Sequence, residues 1–219
     1  MRIHPSSRVH LATRAALAGL LVLTLAAACS DDGTKASAKA TTTVTEGKAA
    51  FTVTAAAVDS PGADVAFPDE VKTQLTAALD TWANGAVITP MRTGTVGDLG
   101  AFFSAGTAPR VAEGAADRPV FFETDLKATA PVTVKGATTT FTGLADTGGN
   151  IQLVNAQVSL ALRSATTSGP VSVNRAGNII FVPGPQGWQV GYYDLVVDRA
   201  GKGLGTAPAH TTASTTKGA

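Results

Sequence analysis

The chain has 219 residues with 17 basic and 16 acidic side chains, and only 15% of its residues are charged. The basic residues are scattered with no Lys/Arg run, which argues against the concentrated basic face of a nucleic-acid binder. Its three histidines and one cysteine are His4, His10, His210 and Cys29. The stretch between Ser30 and Arg199 therefore holds no imidazole and no thiol.

Residues 1–28 read as a targeting segment. Arg2, Arg8 and Arg14 precede the uncharged apolar run Ala15–Ala28, which is shorter than the roughly 20 residues needed to span a bilayer. A positive flank, a short apolar run and small residues before a cysteine make a secretory signal, with the positive flank held on the cytoplasmic side. Leu25-Ala26-Ala27-Ala28-Cys29 resembles a bacterial lipobox, with Ala26 where that pattern usually carries Leu. The resemblance implies diacylglycerol on the Cys29 sulfur, cleavage before it, and a palmitate-type anchor in the outer face of the cytoplasmic membrane. Each buried CH₂ contributes roughly 0.8 kcal/mol, and two long chains make such an anchor stable. The alternative, an ordinary secretory signal, leaves Cys29 as a free thiol in an oxidising compartment. Without residues 1–28 the chain carries 14 basic and 16 acidic residues, a net charge of −2.

Residues 29–49 are polar and aperiodic and read as a lipidated flexible tether, because they cannot bury enough surface to offset their ordering entropy. Residues 50–199 form one candidate domain of common size. Residues 200–219 read as a disordered tail. The threonines at 41–43 and within 211–216 suit plain linker composition or O-linked sugar.

Phe51 and Val53 alternate with Thr52 and Thr54, the pattern of a short strand or extended arm. A helix begins near Pro68, with Asp69 and Glu70 at the positive end of its dipole. Val71, Leu75, Leu79 and Trp82 form its apolar face, and the pattern runs through Ala86 and Ile88 to a break near Pro90 or Gly94. Thr95 with Asp98 predicts the start of a second helix, carrying Val96, Leu99, Phe102 and Phe103 and ending at Gly106. Residues 107–130 show no clear period; Val111, Val120, Phe121, Phe122 and Leu126 need burial, and short helical turns are expected.

The C-terminal half reads as β. Val132, Val134 and Phe141 mark a strand with a phase change near Gly136, suggesting a bulge. Asp146–Asn150 is a run of turn formers. In Ile151–Arg163, the residues Val154, Ala156, Val158, Leu160 and Leu162 share one face. Pro170–Pro183 is either a bent strand with a bulge at Gly177, the preferred reading, or a hairpin. After the turn Pro183–Gly187 comes the last strand, Trp188–Arg199, whose apolar phase shifts around Tyr192 and Tyr193. Two or three helices followed by about four mainly antiparallel strands make an α+β fold.

A long helix with a mid-face Trp82, a second helix ending in Phe102-Phe103, and strands closing on Gly187-Trp188 and Val196-Val197-Asp198-Arg199 resemble the NTF2-like cone fold. The likeness is to lipoproteins of high-G+C Gram-positive bacteria that carry such a domain behind a lipobox, and it covers about residues 66–199. It implies a curved sheet wrapped over a long helix. The superfamily holds isomerases, dehydratases and non-catalytic binding domains, so fold alone leaves the role open. None of its catalytic motifs matches here residue by residue.

Without His or Cys in the domain, Ser–His–Asp and Cys–His catalysis and a His/Cys zinc site are excluded there. No glycine-rich phosphate loop is present, and no cofactor or metal is expected. Carboxylates remain: Asp80, Asp98, Glu123, Asp125 and Asp194. Asp194 beside Tyr192 and Tyr193 is the only acid–phenol cluster suited to a carboxylate-dependent isomerase or dehydratase; the simpler reading is an exposed acid on the last strand. Trp82 and Trp188 either line a pocket and stack on an apolar or sugar ligand or anchor the core. The pocket-lining candidates are thus Trp82, Phe102, Trp188, Tyr192 and Asp194. The leading expectation is a non-catalytic, membrane-tethered module that binds a protein or small-molecule partner outside the cell. The alternatives are the carboxylate enzyme and an accessory subunit of an envelope transport or assembly system.

Overall fold

The computed structural model describes residues 45–62 and 64–204; the signal segment, Cys29, most of the tether and His210 lie outside them. The fold is α+β. β1 (Thr52–Asp59), β2 (Thr133–Ala145), β3 (Ile151–Thr166), β4 (Gly169–Gly184) and β5 (Gly187–Gly201) form one sheet in the order β1-β2-β3-β4-β5. β2 to β5 are antiparallel neighbours, as the alternating pattern predicts. β1 adds a fifth strand, one more than expected, paired in parallel with β2. A parallel neighbour needs a crossover connection, and residues 60–132 with all the helices supply it.

Alternation decides the two faces. Val154, Ala156, Val158, Leu160 and Leu162 of β3 are buried, and so are Val171, Val173, Ile179 and Phe181 of β4. The helical side covers them with Leu75, Leu79, Trp82, Met91, Phe102 and Phe121. The bulge predicted near Gly136 is present as a register shift between Val134 and Gly136. The bulge expected at Gly177 is not: β3–β4 pairing runs through Gly177 unbroken. The shift falls instead between Ile180 and Phe181, where Gly191 is the extra residue on β5. This explains why Val190 and then Tyr193, Leu195 and Val197 are buried. Gly177 has a different task. Its φ is +140°, and a Cβ there would stand 2.1 Å from the Asp194 carbonyl oxygen, so only glycine allows β4 and β5 to approach so closely.

The long helix starts where Pro68, Asp69 and Glu70 place it. α1 (Asp69–Trp82) passes without a break into a π-turn (Ala83–Ile88) and α2 (Thr89–Thr93), and ends at Gly94 in the left-handed region. Pro90 explains the π-turn, since it has no N–H and its ring crowds the carbonyl one turn back. The Thr89 N–H reaches back to the Asn84 carbonyl. The Gly85 and Ala86 carbonyls are freed and accept from the Gly97 and Glu123 N–H groups, at 2.8 and 3.0 Å. The proline thus converts two helical acceptors into anchor points for later segments.

The helix predicted from Thr95 to Gly106 does not form. Gly97 and Gly100 weaken it, Gly100 has φ +56°, and Gly97 is held on Gly85. The segment runs extended, and Phe102 and Ser104 exchange backbone hydrogen bonds with Val190 of β5. Phe102 is nevertheless buried, and Phe103 packs on the core from a half-buried position. Short turns do form across the ambiguous region, a 3₁₀ turn at Ala108–Val111 and α3 at Arg118–Phe121, and all five residues expected to need burial are buried. The ordered region also exceeds the expected limits of 50 and 199. Glu46 pairs with Arg92 at 2.5 Å, Asn84 brackets the Ala49 backbone, and β5 continues to Gly201. No helix among the described residues is long and apolar enough to cross a membrane.

Candidate functional site

Two clefts flank α1. The first, of about 440 Å³, is walled by Gln74, Ala77, Ala78 and Thr81 of α1, by Leu99, Ala101 and Phe102, and by Gln186, Gly187 and Trp188 of the β4–β5 turn. No lining residue is charged. Three separate segments build it, and each is fixed by a local device. Asp69 and Glu70 in the first turn and the buried Leu75 and Leu79 set the helix face. The bonds to Val190 hold Phe102. The Gly184–Gly187 pair closes the hairpin, and Gly187 at φ +107° lets the chain turn into Trp188. Gln189 donates to the Ala101 carbonyl at 3.1 Å and ties the loop to the hairpin. Trp188 is half-buried and rests against the core. A flat indole beside amide and hydroxyl groups in an uncharged cleft suits a neutral ligand with an apolar face and a hydroxylated rim.

The second cleft, of about 630 Å³, lies between β1 and the other flank of α1. It is lined by Val53, Ala55, Ala56, Lys72, Thr73, Thr76, Ala77 and Asp80. Its two charges are already engaged: Lys72 pairs with Asp69 at 2.5 Å, and Asp80 Oδ1 accepts the Phe51 N–H at 2.7 Å.

Polar groups within the fold are committed to each other. Glu123 is fully buried on the Ala86 anchor point. Its Oε2 lies 2.9 Å from Arg175 Nη2 and its Oε1 2.7 Å from Arg199 Nη2. Arg175 also donates from Nε to the Val120 carbonyl at 3.0 Å, and from Nη2 to those of Pro119 and Phe122 at 3.3 Å. Burial pushes the Arg175 guanidinium below its ordinary value, and the Glu123 charge pulls it back up. A second cluster joins Asp117 Oδ2 to the Tyr193 hydroxyl at 2.5 Å and to Arg110 Nη2 at 2.8 Å, with the Arg110 guanidinium 5.0 Å over the Tyr193 ring.

Burial, then the neighbouring Asp117 carboxylate, raise the Tyr193 phenol above its ordinary value. A raised folded-state pKa means the contribution is complete below the unfolded phenol value of about 10 and is lost as pH rises beyond it, because the unfolded chain ionises first. Tyr193→Phe is therefore expected to flatten the alkaline decline in melting temperature above about pH 10. At neutral pH the lost hydrogen bond to a charged acceptor costs about 1.5–3 kcal/mol. A variant with the full alkaline slope of the parent would refute this account.

The five predicted pocket residues separate. Phe102 and Trp188 line one cleft. Trp82 does not reach a pocket: it is fully buried, donates from Nε1 to the Phe121 carbonyl at 3.0 Å, and packs against Phe51 and Phe121. Tyr192 and Asp194 lie on the outer face of the sheet, exposed. The Gly191 bulge turns Tyr193 inward and leaves its neighbours outward, so the acid–phenol pair formed is Asp117–Tyr193. Asp98 accepts the Gly100 N–H in a turn, and Asp125 is exposed. Sequence reasoning missed Arg175, although it shares the inward phase of Val171 and Val173. It also missed Gln74, Thr81 and Gln186, for which a single sequence carries no signal. Among the described residues no group of His, Cys, Asp or Glu converges as a metal site. Comparisons with family models, with curated proteins and with solved structures find no match to this chain.

Proposed function

We propose that this chain is an extracytoplasmic lipoprotein, anchored through Cys29, whose domain is a non-catalytic binding module of the NTF2-like kind with Trp188 at the centre of its ligand site. One observation carries this reading. The inner face of the sheet is filled by Phe121, Phe141, Phe181 and Tyr193, while the open cleft presents an indole among uncharged amides and a hydroxyl. The best buried carboxylates, Glu123 and Asp117, hold arginines and a tyrosine in place, a structural use. Neutral lining favours an uncharged ligand, because a charged one would lose hydration without gaining a partner. The lipobox and the polar tether support placement on the outer face of the membrane, with the domain free to meet ligands there.

The test is titration of the soluble domain with neutral saccharides, read by tryptophan fluorescence. The chain has two tryptophans, and with Trp82 buried the ligand-dependent signal reports Trp188. Trp188→Ala, which lacks the reporter and is titrated by calorimetry, is expected to weaken binding by about tenfold or more, equivalent to about 1.4 kcal/mol, while still unfolding in a cooperative melt. Undiminished binding by Trp188→Ala would overturn this site. Anchoring is tested separately, by mass spectrometry of the mature N-terminus and by the membrane release expected of Cys29→Ser.

A further inference from the structure

Resting on the Trp188 cleft as a binding site, we infer that its ligand is an oligosaccharide long enough to cross α1 and occupy both clefts. The two clefts are not separate features of the surface. Ala77 lines both, and it is exposed, so a single methyl group forms the ridge between them. The helix face on either side carries Thr73, Gln74, Thr76, Ala78 and Thr81, all short or neutral. A large side chain at 77 would divide the surface; alanine leaves it continuous. The path passes over a helix whose diameter with side chains is about 10–12 Å, more than one sugar ring spans.

Charge and chemistry select the class of occupant. The Trp188 cleft has no charged lining, and in the β1 cleft Lys72 and Asp80 are each matched within the protein. Across both clefts the only ionised lining residues are these two, of opposite sign, so the path carries no net charge. The hydroxyls of Thr73, Thr76 and Thr81 donate to the carbonyls of Asp69, Lys72 and Ala77 and keep their oxygens as acceptors, the amides of Gln74 and Gln186 add donors as well as acceptors, and Trp188 provides one stacking platform at the end. A neutral polymer that alternates apolar ring faces with hydroxyl or acetamido groups meets each of these. An extended peptide would instead draw on the backbone of the edge strand β1 and would gain little from Trp188 at the far end.

The experiment uses a chain-length series of N-acetylglucosamine oligomers, from monosaccharide to hexasaccharide, on the parent protein and on Ala55→Arg. Ala55 is exposed and lines only the β1 cleft, so the variant fills that cleft without touching Trp188. Affinity is expected to rise with length until the chain crosses the helix. Ala55→Arg should remove about tenfold from the longest oligomers and leave disaccharide binding unchanged. Thr73→Arg, in the same cleft on the helix side, should repeat the result and guards against a local effect on β1. Equal affinity for disaccharide and hexasaccharide, or a length dependence that survives both variants, would overturn the two-cleft ligand while leaving the Trp188 site standing. A peptide that binds with protection of β1 amides from exchange and without a Trp188 signal would overturn the saccharide assignment. No response to any saccharide would overturn the site itself.

Discussion

Glu123→Ala is expected to destabilise the domain by about 3–5 kcal/mol, because removing one member of a buried ion pair leaves an uncompensated charge in the interior. Arg175 has no exposed side-chain surface and Arg199 only 14%. Both aim at the same carboxylate, so its loss sets two guanidinium groups against each other with no anion between them. Arg199 can turn toward solvent. Arg175 cannot, because Nε and Nη2 are held by the carbonyls of the α3 turn. The consequence reaches further than one residue: Glu123 is also the amide that closes on Ala86, so the π-turn, α3 and β4 meet here. Urea denaturation followed by circular dichroism should show the midpoint fall with the slope unchanged. The double variant Glu123→Leu/Arg175→Met is expected to recover part of the loss, limited by the Pro119, Val120 and Phe122 carbonyls that Arg175 no longer serves. It removes both desolvated charges, together with an Arg175 Nη1 that has no hydrogen-bond partner among the described residues. A double variant as unstable as the single one would mean the pair is needed for shape and not merely for charge balance.

Trp82→Ala should cost a similar amount, about 3–5 kcal/mol. The indole is the largest fully buried side chain. It packs on Phe51 at 6.5 Å and edge-on to Phe121 at 6.0 Å, and its N–H is the partner of the Phe121 carbonyl. Truncation opens a cavity between the N-terminal segment and α3, and it strands a buried acceptor. Trp82→Phe keeps most of the volume and should lose markedly less, the difference reflecting the hydrogen bond and the second ring. Thermal melts of the three proteins decide this. Near-parental stability for Trp82→Ala would place the weight of the helix–sheet contact on Leu75 and Leu79 instead.

Periodic segments were legible in the sequence. The β3 alternation from Val154 to Leu162, the Leu75–Leu79–Trp82 face and the turn at Pro183–Gly187 all stand where composition and spacing put them, because each is decided by neighbours within a few residues. The helix expected over 95–106 failed for the opposite reason. Its capping pattern is local, but the Gly85 carbonyl freed by Pro90, together with the β5 edge at Val190, offered the backbone other partners, and Gly97 and Gly100 made the helix cheap to lose. The bulge expected at Gly177 falls at Gly191 instead, while Asp194 stands as the exposed acid of the simpler reading. One inserted residue, Gly191, reverses which of two adjacent tyrosines points inward.

What the sequence determined by itself is an α+β chain, a domain free of imidazole and thiol, and strands whose buried faces are written in alternation. Only the tertiary structure decided that Trp82 is core and Trp188 borders a cleft, that Arg175 meets Glu123 fifty-two residues away, and that Ala77 lines two clefts. Those outcomes depend on which segments pack together in three dimensions. That depends on carbonyls released by a proline, which no spacing rule along the chain records, and on the register set by a single glycine, which the spacing marks only as a phase shift around Tyr192 and Tyr193.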